Sequence, residues 1–203
     1  MRWERFFEDL EDQLAAEWEA ERAALDSEAE RVRVSRLELR ARLVALVQGE
    51  PSSVSIALSD GSTLDGAPSS VGADWMALRV SRAPARESIA LVPLRAVRAI
   101  GAAHGEVLRS ARTAGPESRL AQRVTFGFAL RDLARRRVPV MVGMVPGRVL
   151  PGTIDRVGAD HLDIALHDAG SPRRAAEVRG YRIVAFDAVA WVRVDAAAGV
   201  MTP

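Results

Sequence analysis

The sequence predicts a mainly β protein with helices (α+β), in which a long N-terminal helix precedes two similar units of one helix and five short strands each. Three observations predict this class. The first segment is rich in Ala, Glu, Leu and Arg and contains neither Gly nor Pro, as helices require. Apolar residues change from helical spacing to strict alternation near residue 50 and again near residue 140. The two alternating regions also match each other at a fixed offset.

Residues 1–34 are predicted to form an acidic amphipathic helix. Residues 1–30 hold eleven acidic residues against three arginines. The large apolar residues recur at three-, four- and seven-residue steps in a narrow stripe, and a lone helix of this kind needs a partner to stay folded. That partner is either the body of the protein or the same helix in a second copy. The predicted partner or dimer contacts are Trp3, Phe6, Phe7, Leu10, Leu14 and Trp18.

The rest of the chain is predicted to form two units separated by a linker. The boundaries are residues 35–101 for the first unit, 102–118 for the linker, 119–195 for the second unit and 196–203 for a flexible tail. The leading helices are expected at about 35–47 and 118–137. Alternatively, one helix runs unbroken from residue 2 to the end of the first of these segments. Alternation and turn residues predict the first unit's strands near 54–58, 64–71, 74–80, 89–92 and 96–100.

An internal repeat supports this division. The segments Val71-Gly72-Ala73-Asp74 and Val157-Gly158-Ala159-Asp160 are identical at an offset of 86 residues. In the same register, Gly61, Leu64 and Gly66 meet Gly147, Leu150 and Gly152. After a loop six residues longer, Val92, Val97 and Ile100 meet Val184, Val189 and Val192. Because apolar positions alone would align by chance, the shared glycines and the identical tetrapeptide carry the inference that one segment was duplicated.

The first unit resembles the Sm-like (LSm) family. Its opening strands read Val54-x-Ile56-x-Leu58-x-Asp60-Gly61-x-x-Leu64-x-Gly66, which is similar to the first Sm motif. Its closing strands read Val92-Pro93-Leu94-x-x-Val97-x-x-Ile100, which is similar to the end of many bacterial members. The resemblance covers about 65–75 residues of each half and implies two Sm-like or SH3-like five-stranded barrels. The Asp–Asn and Arg-Gly (or Lys-Gly) elements by which Sm proteins bind uridine-rich RNA do not carry over to the matching turns.

The whole chain also resembles a family of actinobacterial proteins, some of which carry the label of Fis-type transcription regulators. Such a label implies a helix-turn-helix. One helix is expected near residues 119–137, and the chain from Val138 onward is predicted as strand. The sequence itself therefore does not predict that motif.

Composition narrows the classes of function. The chain has no cysteine, which excludes disulfides, thiolate metal sites and cysteine nucleophiles. Lysine and asparagine are also absent, which indicates a GC-rich bacterial genome. No run approaches the roughly 18 apolar residues of a membrane span, and the acidic first residues are unlike a signal peptide. We expect a cytoplasmic protein that does not engage a membrane.

Candidate sites for chemistry are sparse. His161, Asp163 and His167 share one face of a predicted strand and could ligate zinc. The alternating apolar residues favour another interpretation, in which this face is simply the solvent side of the strand. Because nucleophile-elbow, phosphate-loop and dinucleotide motifs are also missing, we expect no catalytic residue, no metal and no cofactor, and thus no enzyme.

Arginines cluster in the predicted helices and in the longer loop of the second unit. They could contact the phosphates of RNA or DNA, or they could form a solvated face or pair with the acidic helix. The candidate nucleic-acid contacts are Arg31, Arg33, Arg36, Arg40, Arg131, Arg135, Arg136, Arg137, Arg173 and Arg174.

Barrels of this kind have open strand edges, so the two copies could pair with each other within the chain. The function predicted from these features is a non-enzymatic interaction or assembly protein built on tandem Sm-like barrels. Its N-terminal helix is expected to bind a protein partner or a second copy of the chain. The alternative is an RNA- or DNA-binding regulatory protein that uses its arginine-rich helices.

Overall fold

The computed structural model describes the backbone of residues 2–50, 52–82, 86–112, 115–168 and 173–196. It describes the side chains of the same ranges, except those of residues 2–17, 20, 81, 82 and 86. The chain divides into two compact units, Met1–Glu38 and Leu39–Pro203. The predicted flexible tail lies outside the described residues apart from its first residue, Ala196.

The N-terminal unit, Met1–Glu38, consists of one long helix, α1, at Arg2–Ser35. Near its C-terminal end, two arginines pair with glutamates one turn earlier. Arg31 lies 3.6 Å from Glu28, and Arg33 lies 2.7 Å from Glu30. Pairs at this spacing lie on one face of a helix and support it.

The C-terminal unit, Leu39–Pro203, contains three helices and ten strands among its described residues. The helices are α2 (Leu39–Val47), α3 (His104–Ser110) and α4 (Phe126–Arg135). The strands are β1 (Val54–Leu58), β2 (Thr63–Val71), β3 (Trp75–Arg82), β4 (Arg86–Pro93), β5 (Val97–Gly101), β6 (Pro139–Met144), β7 (Arg148–Val157), β8 (His161–Leu166), β9 (Gly180–Ala185) and β10 (Val189–Asp195). Short 3₁₀ turns at Leu94–Ala96 and Phe186–Ala188 lead into β5 and β10.

All ten strands belong to one open antiparallel sheet, in the order β5-β1-β2-β3-β4-β10-β6-β7-β8-β9. The prediction of two separate five-stranded Sm-like barrels is therefore wrong. The first half of the sheet, β1–β5, joins the second half, β6–β10, where β4 pairs with β10 and Leu91 lies opposite Val192. Edge strands carry unpaired N–H and C=O groups, and here each half satisfies the edge of the other.

The two halves have the same strand order and the same registers. Val54 faces Gly66 in the first half, and Val140 faces Gly152 in the second. Both glycines allow a close approach of the next strand. A Cβ atom at Gly66 would lie 2.4 Å from the Arg79 carbonyl oxygen, and one at Gly152 would lie 2.1 Å from that of Ala165. A side chain at either position would push the neighbouring strand away.

The helices differ more from the predictions than the strands do. Helix α3 lies inside the segment predicted to be a linker. Helix α4 begins at Phe126 instead of residue 118, because the Thr125 side chain accepts a hydrogen bond from the Phe128 N–H at 3.3 Å. Such a cap fixes the first turn of a helix.

Two hydrophobic clusters form the core, and each contains residues from both halves of the sheet. Trp75 and Leu91 belong to the first half but pack with Phe126 and Leu130 of α4 in the second. Trp191 belongs to the second half but packs in the other cluster, which is formed mainly by first-half residues such as Ile56 and Leu78. Its indole N–H donates to Asp60 Oδ2 at 3.0 Å. The two halves thus share their cores.

Candidate interaction site

The junction between β4 and β10 shows how one half of the sheet covers the edge strand of the other half. Trp75, Ala77, Ile89 and Leu91, here called the first-half docking surface, lie on β3 and β4 and pack into the second-half core. Trp75, Ala77 and Leu91 are fully buried there. The Trp75 indole N–H donates to the carbonyl oxygen of Val124 at 2.9 Å. The junction therefore combines strand pairing with insertion of side chains into a neighbouring core.

The turn between β2 and β3 completes the junction with polar contacts. The Phe126 N–H, at the start of α4, donates to Asp74 Oδ1 at 2.6 Å. The Ala73 N–H donates to the Val124 carbonyl at 2.9 Å. A carboxylate at a helix N-terminus satisfies a free N–H and interacts well with the helix dipole. The first half therefore caps the leading helix of the second.

The equivalent residues of the second half are His161, Asp163, Tyr181 and Ile183, here called the second-half docking surface. Ile183 corresponds to Leu91 and is 78% exposed, whereas Leu91 is 0% exposed. Tyr181 is exposed as well. Strand β9 stands at the end of the sheet and pairs only with β8 among the described strands. The same position is thus buried in one half and open to solvent in the other.

Asp160 occupies in this half the place that Asp74 occupies in the first. Its carboxylate is exposed, and its Oδ1 lies 2.8 Å from His161 Nδ1. This hydrogen bond lowers the pKa of Asp160 below its usual range. The hydrogen bond of the Asp160 carboxylate is with the neighbouring His161, and the Asp160 carbonyl accepts from the Phe186 N–H at 2.7 Å.

The opposite end of the sheet carries a cleft. Strand β5 pairs only with β1 among the described strands. A cleft of about 220 Å³ lies between β5, α2 and α3, with a largely apolar lining that includes Leu39, Leu46, Val97, Ile100 and Val107. Helix α3 is held against α2, since the Arg42 guanidinium donates to the Val107 carbonyl at 2.9 Å. The molecule thus has an exposed apolar edge at one end and an apolar cleft at the other.

Most arginines predicted to contact nucleic acid are engaged with acidic side chains. Arg40 pairs with Glu117, Arg135 and Arg136 pair with Asp132, Arg173 pairs with Asp155, and Arg174 pairs with Glu177. Arg31 and Arg33 pair within α1 as described above. These pairs neutralise much of the charge that a phosphate backbone would require.

The remaining three candidates have different surroundings. Arg131 donates to the carbonyl of Gly158 at 2.9 Å. Arg36 and Arg137 are exposed. Nucleic-acid binding by these arginines stays a prediction.

The predicted contacts of the N-terminal helix are described only in part. The side chains of Trp3, Phe6, Phe7, Leu10 and Leu14 lie outside the described residues. Trp18 is 68% exposed, and Leu25 and Val32, one and two heptads further along α1, are exposed too. The described part of the helix therefore presents an apolar stripe to solvent.

The histidines predicted as possible zinc ligands are not brought together. His161 is half-exposed, whereas His167 is completely buried, with Nε2 at 2.8 Å from Thr153 Oγ1. The expectation that His167 faces solvent is wrong, because β8 ends at Leu166 and the His167 ring is hydrogen-bonded to the buried Thr153. Among the residues that the structure describes, no group of three His, Asp or Glu side chains could hold a metal ion.

Comparisons with known proteins give no relative for this chain. No family model, no curated protein and no solved structure matches it. The resemblances to the Sm-like family and to the proteins labelled as Fis-type regulators therefore stay predictions. Within the described part of the chain, no helix combines the length and apolar character needed to cross a membrane.

The sequence did not predict the docking surfaces, although the internal repeat contains a signal for them. The repeat aligns Ile183 with Leu91 and His161 with Trp75. Alignment shows that these positions are equivalent, but it cannot show that one member of each pair crosses into the other half. Only the strand order provides that information.

Proposed function

We propose that this protein is a non-enzymatic interaction or assembly protein and that α1 is one of its docking elements. The observation that carries the proposal is the exposed stripe of Trp18, Leu25 and Val32 on α1. Burying side chains of this size contributes about 1.5–3 kcal/mol each, and an isolated helix gains none of it. A seven-residue spacing keeps the stripe on one side of the helix, as in helices that pair with another helix.

The charge of α1 bears on the kind of partner. The excess of acidic over basic residues in residues 1–30 disfavours close pairing of two copies along that length. It favours a partner whose apolar groove is bordered by basic side chains. Both a different protein and a second copy bury the stripe, so the test must distinguish them.

The test replaces the apolar stripe with charge and compares it with the opposite face. The variant Trp18→Glu/Leu25→Glu removes the stripe, and Ala23→Glu/Ser27→Glu adds the same charge on the far side of the helix, at exposed positions. The first variant should retain less protein from a host lysate than the parent chain, and the second should retain as much. A lower mass by light scattering in the first variant alone would instead identify a second copy as the partner of α1. Equal behaviour of both variants and the parent chain would refute the role of α1.

A further inference from the structure

The second-half docking surface is a copy of a surface whose partner is visible in the same molecule. In the first half, Leu91 lies opposite Val192 and is buried by the neighbouring core. In the second half, Ile183 keeps the apolar character and the register of Leu91 but is exposed. A large apolar side chain exposed on an edge strand indicates a surface that pairs with another strand.

The cleft beside β5 corresponds to the place into which the first-half docking surface inserts. That place lies between α4 and β10. Their equivalents are α2, the leading helix of the first half, and β5, the last strand of the first half. Ile100, which lines the cleft, corresponds to Val192, the residue opposite Leu91 at the junction. The cleft beside β5 is therefore equivalent to the place in the second half that the first-half docking surface occupies.

We propose that the second-half docking surface binds the cleft beside β5 of a second copy of this chain, so that copies associate head to tail. By the register of the junction, Ile183 of one copy lies opposite Ile100 of the next. Strand β5 continues one residue beyond Ile100, to Gly101, and α3 begins at His104. Such a contact is heterologous, because the two copies contribute different surfaces. It is separate from α1 and goes beyond the function proposed above.

The contact between copies is weaker than the junction within the chain. His161 and Asp163 stand where Trp75 and Ala77 stand in the first half, so less apolar surface is buried and two polar groups lose water. Helix α3 contributes Val107 and Ser110 to the wall of the cleft and so limits the space for an incoming strand. Association therefore depends on protein concentration instead of forming a permanent oligomer.

The first experiment measures the mass of the full chain by sedimentation velocity over a wide range of concentrations. The mass of the parent chain should rise with concentration. Ile183→Asp should weaken association about tenfold or more, since it places a charge in an apolar cleft. Leu120→Asp, at a similarly exposed leucine outside the docking surfaces, should leave association unchanged.

A gain-of-function variant tests the equivalence of the two surfaces. His161→Trp/Asp163→Ala copies the first-half surface onto the second half, and Gly158 leaves room for the larger ring just as Gly72 does at Trp75. This variant should associate about tenfold more tightly than the parent chain. A parent chain that stays monomeric together with a variant that also stays monomeric would overturn the proposal and leave the edge to a strand of a different protein.

Mixing two inactive variants tests the head-to-tail arrangement. Ile183→Asp removes the docking surface, and Ala99→Glu places a charge at the exposed edge of the cleft. Each should be monomeric alone at concentrations where the parent chain associates, but their mixture should form a 1:1 heterodimer through the one intact pair of surfaces. A mixture that stays monomeric would show that the contact is not heterologous. Because α1 is intact in both variants, this result is independent of the test of α1.

Discussion

Asp74 and Asp160 are the same residue of the repeat in two different surroundings. The Asp74 carboxylate accepts a hydrogen bond from the N–H of Phe126 at the start of α4, whereas the Asp160 carboxylate is exposed and is hydrogen-bonded to His161. The capping role therefore does not follow from residue type or from position in the repeat. It follows from the helix that begins beside Asp74.

This difference predicts unequal effects of the same substitution. Asp74→Ala should lower the free energy of unfolding by about 1 kcal/mol, the usual contribution of a helix cap. Asp160→Ala should leave the free energy of unfolding nearly unchanged, as at other exposed positions. Urea denaturation at a protein concentration low enough to prevent association measures both. Equal losses would show that Asp74 does not stabilise α4.

The candidate residues show where sequence reasoning reaches its limit. The clustering of basic residues in the sequence predicts Arg40 and Arg135 as nucleic-acid contacts, but each pairs with an acidic residue. Sequence spacing reveals such a pair only when both residues lie in one helix. Arg135 and Asp132 are three residues apart, so their pair could have been predicted. Arg40 and Glu117 are far apart in sequence, and only the fold brings them together.

At the scale of elements, an ion pair ties the loop before α4 to helix α2. Arg40 pairs with Glu117 and also donates to the Gly72 carbonyl at 2.8 Å. The hydrogen bond from Arg40 is the main cause that lowers the pKa of Glu117 below its usual range. Both side chains are largely shielded from solvent, so the pair is screened less than a surface pair.

The lowered pKa of Glu117 predicts how stability depends on pH. A carboxyl group with a depressed pKa in the folded state stabilises the fold above its unfolded pKa, and this contribution is lost as the pH falls through the folded value. Glu117→Gln should therefore be less stable than the parent chain at neutral pH, and the difference should shrink below about pH 5. Thermal unfolding over a pH series measures this, with the exposed Glu87→Gln as control. A difference that stays constant with pH would contradict the role of ionised Glu117.

Sequence patterns predicted the strands better than the helices. Val54, Ile56 and Leu58 alternate with small polar residues, and β1 occupies Val54–Leu58. Alternation is a local property, so it can be recognised in the sequence without knowledge of the fold. Helix α3 was missed because its seven residues include a glycine and lack a strong apolar stripe. Its position depends on packing against α2, with Arg42 bonded to its backbone, and that information is not local.

For the whole molecule, the main consequence of the strand order is that neither half has a complete core of its own. Trp75 packs in the cluster of the second half, and Trp191 packs in the cluster of the first. The repeat could be read from the sequence because duplication leaves matching residues. Open strand edges predict that the two copies pair within the chain, but the sequence does not show that β4 joins β10, because edge strands pair through backbone groups that every sequence contains.

Shared cores predict that the two halves of the sheet unfold together. Opening one half would expose the tryptophan that it contributes to the other, and loss of a buried Trp costs about 3–5 kcal/mol. Hydrogen exchange measured by mass spectrometry under native conditions should therefore give the amides of β1 and β7 the same highest opening free energy. Trp75→Ala, which removes a first-half residue, should lower protection in β7 as much as in β1. Loss confined to the first half would mean that the halves are independent domains joined only at one strand pair.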